Sequence, residues 1–246
     1  MIINVTPQQA WSGEADCRQC SLRSSALFAG LRESDFEQIH RPIQQEALSA
    51  GAALYSTGER GEHLFTVRSG LVKLIQYLPD GARRIVRLVR PADILGMEAL
   101  LGQPYLHEAV AMQPTEVCRL PVAVVEHLSR DNPELHRELL NRWQQALQGA
   151  DAWITELSTG SARQRVARLL LRLQAVGADP SAPGSNPGSN PESLLIGRED
   201  MGAMLGITTE TASRTVAEFK RQGVLRESRP HHCRIDVERL QAIAET

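Results

Sequence analysis

Three side chains of one short run, Glu210, Ser213 and Arg214 within GITTETASRTVAEFKRQGVL (Gly206–Leu225), are spaced three and four residues apart. On a helix that spacing projects them from one side. An arginine fork donates bidentately to guanine O6 and N7, a carboxylate accepts from cytosine N4, and a serine hydroxyl bonds to either kind of base edge. The set has the chemistry of a DNA-reading surface, and also that of an ordinary solvated helix face. A second set is made of thiols. Cys17 and Cys20 form a C-x-x-C, and Cys118 and Cys233 complete the four cysteines of the chain. A reducing cytoplasm disfavours a structural disulfide framework, which leaves the C-x-x-C as a candidate for redox or ligand chemistry. Enzyme chemistry is the rival class. No Ser/His/Asp set, phosphate loop or H-E-x-x-H is present, and GEHLF supplies one histidine where a metal-dependent cupin needs H-x-H and a following glutamate.

The elements that must carry these residues follow from periodicity. GREDMGAMLG reads as a short helix closed by Gly206, a natural left-handed cap. Thr208 or Thr209 caps the next helix, which runs to about Gln222 and stops at Gly223. Two helices joined by a three- to four-residue turn containing glycine make the helix-turn-helix pattern. VLRESRPHHCRIDV then reads as two short strands with a basic turn, and VERLQAIAE as a closing helix.

Upstream, residues 27–128 are punctuated by glycines between short β-prone runs, and LPDGARR is a hairpin signal. A small antiparallel barrel or roll is expected there. From Pro133 to Leu157 the period changes. Leu140, Trp143, Leu147, Ala150, Ile154 and Leu157 are spaced 3, 4, 3, 4, 3, an uncharged a/d seam. That predicts a two-chain interface, against the plainer alternative of a helix packed on its own domain. Leu135 and Leu139 lie off the seam and are expected to pack on the roll. SARQRVARLLLRLQAVG predicts a further helix, and ADPSAPGSNPGSNPES, with its repeated GSNP, a flexible loop. The expected organisation is a cysteine-containing segment over 1–26, a roll over 27–130, a dimerisation helix over 131–158 and a DNA-binding domain over 159–246, with the loop at 177–193.

The chain has 246 residues, is 42% hydrophobic and 23% charged, and carries a formal charge of −2. This is ordinary globular composition, enough for two modest domains. From Ser161 onward there are 12 Lys and Arg against 10 Asp and Glu, so the mild positive balance lies in the C-terminal part. No apolar run reaches a membrane span and the N-terminus is not a secretory signal, so a cytoplasmic protein without membrane contact is expected.

Roll, heptad helix and winged helix-turn-helix, in that order, resemble the CRP/FNR family of transcription regulators over about Cys17 to Ala244. REDMGAMLGITTETASRTVAEFKRQGVL carries the most specific likeness, GERGEHLFTVRSGLVKL resembles the roll's central turn, and PADILGMEALLG resembles the effector-pocket segment of the cyclic-nucleotide-binding members. The resemblance implies an α+β chain with a cyclic-nucleotide-binding-like roll and a helix placed in the major groove. DNA contacts then fall at Thr208, Thr209, Glu210, Thr211, Ser213 and Arg214, with Glu210, Ser213 and Arg214 at base-reading positions. E-x-x-S-R resembles the FNR branch, whose half-site resembles TTGAT. It implies a homodimer on an inverted repeat, and RNA polymerase as a partner if the protein activates.

The resemblance also frames the signal. Cyclic-nucleotide binders have an acid just after the glycine matching Gly96, and an Arg-Ser pair some ten residues on. Here those positions hold Met97, and His107 with Glu108, so cyclic AMP is not expected to bind. The FNR branch holds a [4Fe–4S] cluster. Cys17, Cys20 and Cys118 match three of its cysteines, but the fourth position is Ala26. Three readings stay open: a labile cluster completed by Glu14 or Asp16, a thiol switch at Cys17 and Cys20, or a relic of the motif with another signal such as haem or nitric oxide. Single histidines such as His63 and His107 do not define a haem site.

Overall fold

The computed structural model describes residues 2–5, 43–177 and 192–245. Cys17, Cys20, Ala26 and the repeated GSNP loop lie outside the described residues. The chain divides into two compact units, Met1–Gly81 with Val86–Gly149, and Ala150–Thr246 with Ala82–Ile85. No helix among the described residues is long and apolar enough to cross a membrane.

The first unit is an antiparallel roll of two sheets. One has the order β1-β2-β9-β4-β7, from β1 (Ile2–Val5), β2 (Ile43–Leu48), β4 (His63–Ser69), β7 (Ile94–Leu95) and β9 (Thr115–Pro121). The other has the order β3-β8-β5-β6, from β3 (Ala53–Tyr55), β5 (Val72–Tyr77), β6 (Arg83–Val89) and β8 (Glu108–Ala111). Pro79-Asp80-Gly81 turns β5 into β6, with the Gly81 N–H donating to the Leu78 carbonyl at 2.9 Å. Val67, Val72, Leu74, Ala109 and Val117 face inward, together with a stack of Tyr55 on Tyr105, centroids 4.0 Å apart, and the neighbouring Phe65.

Two helices cover the outer side of the roll. α1 (Val122–Asp131) buries Val124, Val125 and Leu128 beside Leu64 and Leu120. Its valine-rich start, VAVVEHL, carries no helix signal strong enough to separate it from the preceding strand. α2 (Pro133–Leu157) begins with Asn132 Oδ1 accepting from the Glu134 and Leu135 N–H groups, at 3.0 and 3.1 Å. Leu135 and Leu139 pack into the same apolar cluster. Arg142 donates to the Ala92 carbonyl at 2.9 Å, fixing this face of the helix on the roll.

Exposure along α2 divides the six seam positions. Leu140, Trp143, Leu147, Ala150 and Ile154 are exposed, Leu147 by 59%. Leu157 departs from it: the side chain is 0% exposed and belongs to the interior of its own chain. The last turn of α2 lies beside the following helix, as the Arg172–Glu156 ion pair at 2.9 Å shows. Leu157 is drawn into that packing, so the solvent-facing seam ends at Ile154.

The second unit contains α3 (Ala162–Gly177), α4 (Arg198–Leu205), α5 (Thr209–Arg221) and α6 (Val237–Glu245). A small sheet of order β10-β12-β11 joins β10 (Ser193–Leu194), β11 (Leu225–Arg229) and β12 (His232–Ile235). α3 starts in a capping box: the Gln164 N–H donates to Ser161 Oγ at 3.3 Å, and Gln164 Oε1 accepts from the Ser161 N–H at 2.7 Å. Val166, Leu169, Leu170 and Leu173 of α3, Met201 and Leu205 of α4, Phe219 of α5 and Leu240 of α6 form the interior.

Candidate nucleic-acid interface

α4 and α5 form a helix-turn-helix whose turn is fixed by two glycines. Gly206 ends α4 in the left-handed conformation, φ 63°, and its N–H donates to the Gly202 carbonyl at 2.9 Å. A Cβ on Gly202 would stand 2.7 Å from the Ile207 carbonyl oxygen, so the turn can cross α4 only over glycine. Thr208 is the cap of α5, its hydroxyl accepting from the Thr211 N–H at 3.1 Å. Thr211 Oγ1 lies 2.9 Å from Thr208 Oγ1, so these two threonines hold the start of the helix.

α5 is sharply two-sided. Ala212, Thr215, Val216 and Phe219 are buried, while Thr209, Glu210, Ser213 and Arg214 are exposed. The expected trio therefore does share one solvent face. Arg214 and Glu210 form an i, i+4 ion pair with side chains 78% and 71% exposed. The uncapped N–H groups and the dipole of this helix end favour an anion at the same place.

Behind this face, α3 supports the motif. Arg163 bonds Glu218, donates to Gln222 Oε1 at 2.9 Å, and places its guanidinium 5.5 Å from the centre of the Phe219 ring. Arg165 donates to the Leu205 carbonyl at 2.6 Å, closing the C-terminal end of α4. These supports escaped the reading of the sequence. Arginines 163, 165, 168 and 172 of SARQRVARLLLRLQ fit an ordinary polar helix face, and only their partners distinguish them.

β11 and β12 form the wing, turning at Pro230-His231, where His231 has φ 61°. Arg226 and Arg234 are directly opposed across the strands and both are exposed. Like charges at that position oppose each other unless an anion lies over them. An open cleft of about 650 Å³ between the start of α4 and the wing is lined by Arg198, Arg229 and His231, among others. Glu227 is held down by its hydrogen bond to Lys220, at 2.7 Å, and stays ionised.

The cysteines divide. Cys233 is buried in β12, and burial pushes its thiol up to about 11, so it is neither a ready ligand nor a nucleophile. Cys118 lies half-buried on β9, opposite Gln45 and Thr66, and packs against the cluster under α1. Among the described residues no three His, Cys, Asp or Glu side chains are grouped to hold a metal.

In the roll, the positions that differ from a cyclic-nucleotide pocket have other work. Met97 is buried in the outer cluster. Glu108 accepts from the Tyr77 hydroxyl at 2.6 Å. Burial lowers the His107 imidazole below its usual range, so it is neutral near pH 7. Tyr105 is tied to His63 by its hydroxyl, donating to the carbonyl at 2.8 Å.

Comparison with known proteins matches this layout. The cyclic nucleotide-binding domain family covers residues 45–132, and the Crp-like helix-turn-helix domain family covers residues 164–243. The fumarate and nitrate reduction regulatory protein of Vibrio cholerae is 27% identical over 210 residues, 85% of this chain and 82% of that protein. The transcriptional activator protein anr of Pseudomonas aeruginosa is 25% identical over 213 residues, 86% of this chain and 85% of that protein. FixK2 from Bradyrhizobium japonicum superposes with a TM-score of 0.70 at 25% identity, over 82% of this chain and 96% of that one. These relatives are regulators rather than enzymes, and with both family domains in the same order the chain belongs to the CRP/FNR family of DNA-binding transcription regulators.

Proposed function

We propose that the protein binds, as a homodimer, an inverted repeat with TTGAT-like half-sites, and that it regulates transcription from such sites. The observation that carries this reading is the exposed face of α5, where Glu210, Ser213 and Arg214 stand together on a helix whose other side is buried. Arg214 reads guanine, Glu210 accepts from cytosine, and Ser213 contacts a neighbouring base edge. Thr208, Thr209 and Thr211 line the helix start, where a backbone phosphate is favoured. Arg226 and Arg234 of the wing supply a second phosphate contact, which relieves their mutual repulsion.

Dimerisation runs along α2 through Leu140, Trp143, Leu147, Ala150 and Ile154. Four large apolar side chains of this set are exposed on one helix whose other face is already packed on the roll. Two-fold symmetry then demands a two-fold site, with half-sites about one helical turn, roughly 34–36 Å, apart. The Pseudomonas aeruginosa relative is named an activator. On that likeness the protein is an activator in the cytoplasm whose further partner is RNA polymerase.

Redox state or oxygen is the signal to test first, because Cys17, Cys20 and Cys118 match the FNR-branch pattern. Haem, nitric oxide and thiol oxidation are the rivals. The donors do not fit a four-thiolate cluster: Ala26 cannot ligate, and Cys233 is buried in the wing. The test is a fluorescence-anisotropy titration of the purified protein on a TTGAT inverted repeat, a scrambled duplex and a single half-site. Preference for the repeat is expected. Equal affinity for the repeat and the scrambled duplex would defeat the reading.

A further inference from the structure

The junction between α2 and α3 is built around one side chain. Helix C-termini leave carbonyl groups without intrahelical partners. At this junction two helices end close together: α2 at Leu157 and α6 at Glu245. The Arg168 guanidinium meets both. Its Nη1 donates to the Glu156 carbonyl at 3.1 Å, and to the Thr159 carbonyl at 2.9 Å. Its Nε and Nη2 donate to the Ala244 carbonyl at 3.0 and 2.7 Å. A cation among the last carbonyls of two helices is also favoured by both dipoles.

The remaining contacts restrict the same turn. Gly160 is left-handed, φ 83°, and the Ser161–Gln164 capping box starts α3 directly after it. One turn beyond Arg168, Arg172 pairs with Glu156 Oε2 at 2.9 Å, and its guanidinium lies 5.6 Å from the centre of the Trp153 ring. Trp153 and Leu157 are buried at this place. The end of α2, from Trp153 to Leu157, is therefore fastened to α3, which carries the supports of α4 and α5.

We propose that Arg168 is a positioning residue that sets the spacing of the two half-sites, by fastening the ends of α2 and α6 to α3 through one guanidinium. The inference rests on the dimer and inverted-repeat reading above. In such a dimer the recognition helices are separated by a distance that the α2–α3 junction must define. Arginine suits the role because its planar fork donates in two directions at once. A lysine ammonium is a single point of donation. It can serve the Ala244 carbonyl, or the Glu156 and Thr159 carbonyls, but not both sides with the same geometry.

The experiment uses the full chain as wild type, Arg168→Lys and Arg168→Gln. Anisotropy titrations are run on the preferred inverted repeat and on repeats with one base pair added to or removed from the spacer. A duplex with a substituted guanine in each half-site reports base preference. Both variants are expected to keep base preference and to lose spacing discrimination by about fivefold, the low end of coupling between separated elements. A purely stabilising role would weaken binding to every duplex in proportion and lower Tm, with the spacing ratio unchanged. That outcome in a folded, dimeric Arg168→Lys protein overturns the proposal. Should Arg168→Gln fail to fold, Arg168→Lys, which retains charge and stem, decides it. A wild-type protein that binds a single half-site as tightly as the repeat would overturn the dimer reading itself, and this inference with it.

Discussion

The Arg214 guanidinium is bonded to the Glu210 carboxylate one turn earlier on α5, and both side chains project into solvent. An exposed i, i+4 pair contributes only about 0.3–0.5 kcal/mol, so it gives way readily to a base edge. Arg214→Ala is expected to weaken binding to the specific site by about 1–3 kcal/mol and to relax preference at the guanine. Arg214→Lys should not restore it, because a point charge does not replace a bidentate fork. Competition titrations with each base at that position check this. An equal loss on all duplexes would make Arg214 a phosphate contact.

Arg226 and Arg234 should behave in the opposite way. They face each other across the wing, and neither is on the recognition helix. Replacing either with alanine is expected to weaken all duplexes alike and to reduce the slope of log K against log salt by about 1. The wing should be no less stable, since one of two opposed like charges is gone. A change in base preference on removing either arginine would place it at a base edge instead.

Two leucines of one heptad pattern separate dimerisation from folding. Leu147 is exposed on α2, whereas Leu157 is buried within its own chain. Leu147→Glu sets two charges in the proposed seam and should yield a folded monomer by sedimentation. Leu157→Ala should instead destabilise the protein by about 2–5 kcal/mol, the range for emptying a core leucine site. A stable dimer in Leu147→Glu would sink the α2 interface.

That contrast shows what a one-dimensional pattern holds. The helix-turn-helix was legible because its determinants are local: Gly206, the Thr208 cap and the apolar spacing of α5 lie within one short run. The Pro-Asp-Gly hairpin was legible for the same reason. The burial of Leu157 was not, because it depends on α3 arriving beside the end of α2. α1 was hidden by β-branched valines, whose helical state is decided by packing on Leu64 and Leu120. β1 and β10 are four and two residues long, and only their partners β2 and β12 define them. Arg163, Arg165 and Arg168 of α3 are ordinary as letters and acquire roles only through Glu218, Leu205 and Ala244.

Cyclic AMP should not bind with appreciable affinity. Its ribose and phosphate would need an acid and a cation where the chain has Met97, His107 and Glu108. Met97 is committed to the core, burial holds the His107 imidazole neutral, and Glu108 accepts a hydrogen bond from Tyr77. Because burial lowers the imidazole, it gains charge only below the usual histidine range. Calorimetry near pH 7 is expected to show no heat of binding, and micromolar affinity would overturn the argument.

The cysteines allow a prediction about the signal. Cluster-dependent members of this family couple cluster assembly to dimerisation, so oxygen removes DNA binding. Two features would uncouple this chain from such a switch. Ala26 removes one ligand, so any cluster is less stable. The α2 seam has the small apolar Ala150 where a charge would hold apo-protein apart, and it presents Leu140, Leu147 and Ile154 to solvent. Aerobically purified, iron-free protein is therefore expected to bind the inverted repeat. Cys17→Ala and Cys20→Ala should change its affinity by less than tenfold, about 1.4 kcal/mol. Cys233, with its thiol raised to about 11, should react with iodoacetamide only after denaturation. The deciding comparison titrates DNA with apo and anaerobically reconstituted protein side by side. If only the reconstituted form binds, and Cys118→Ala abolishes its visible absorbance, a three-cysteine cluster is the sensor and the apo dimer is not the active state.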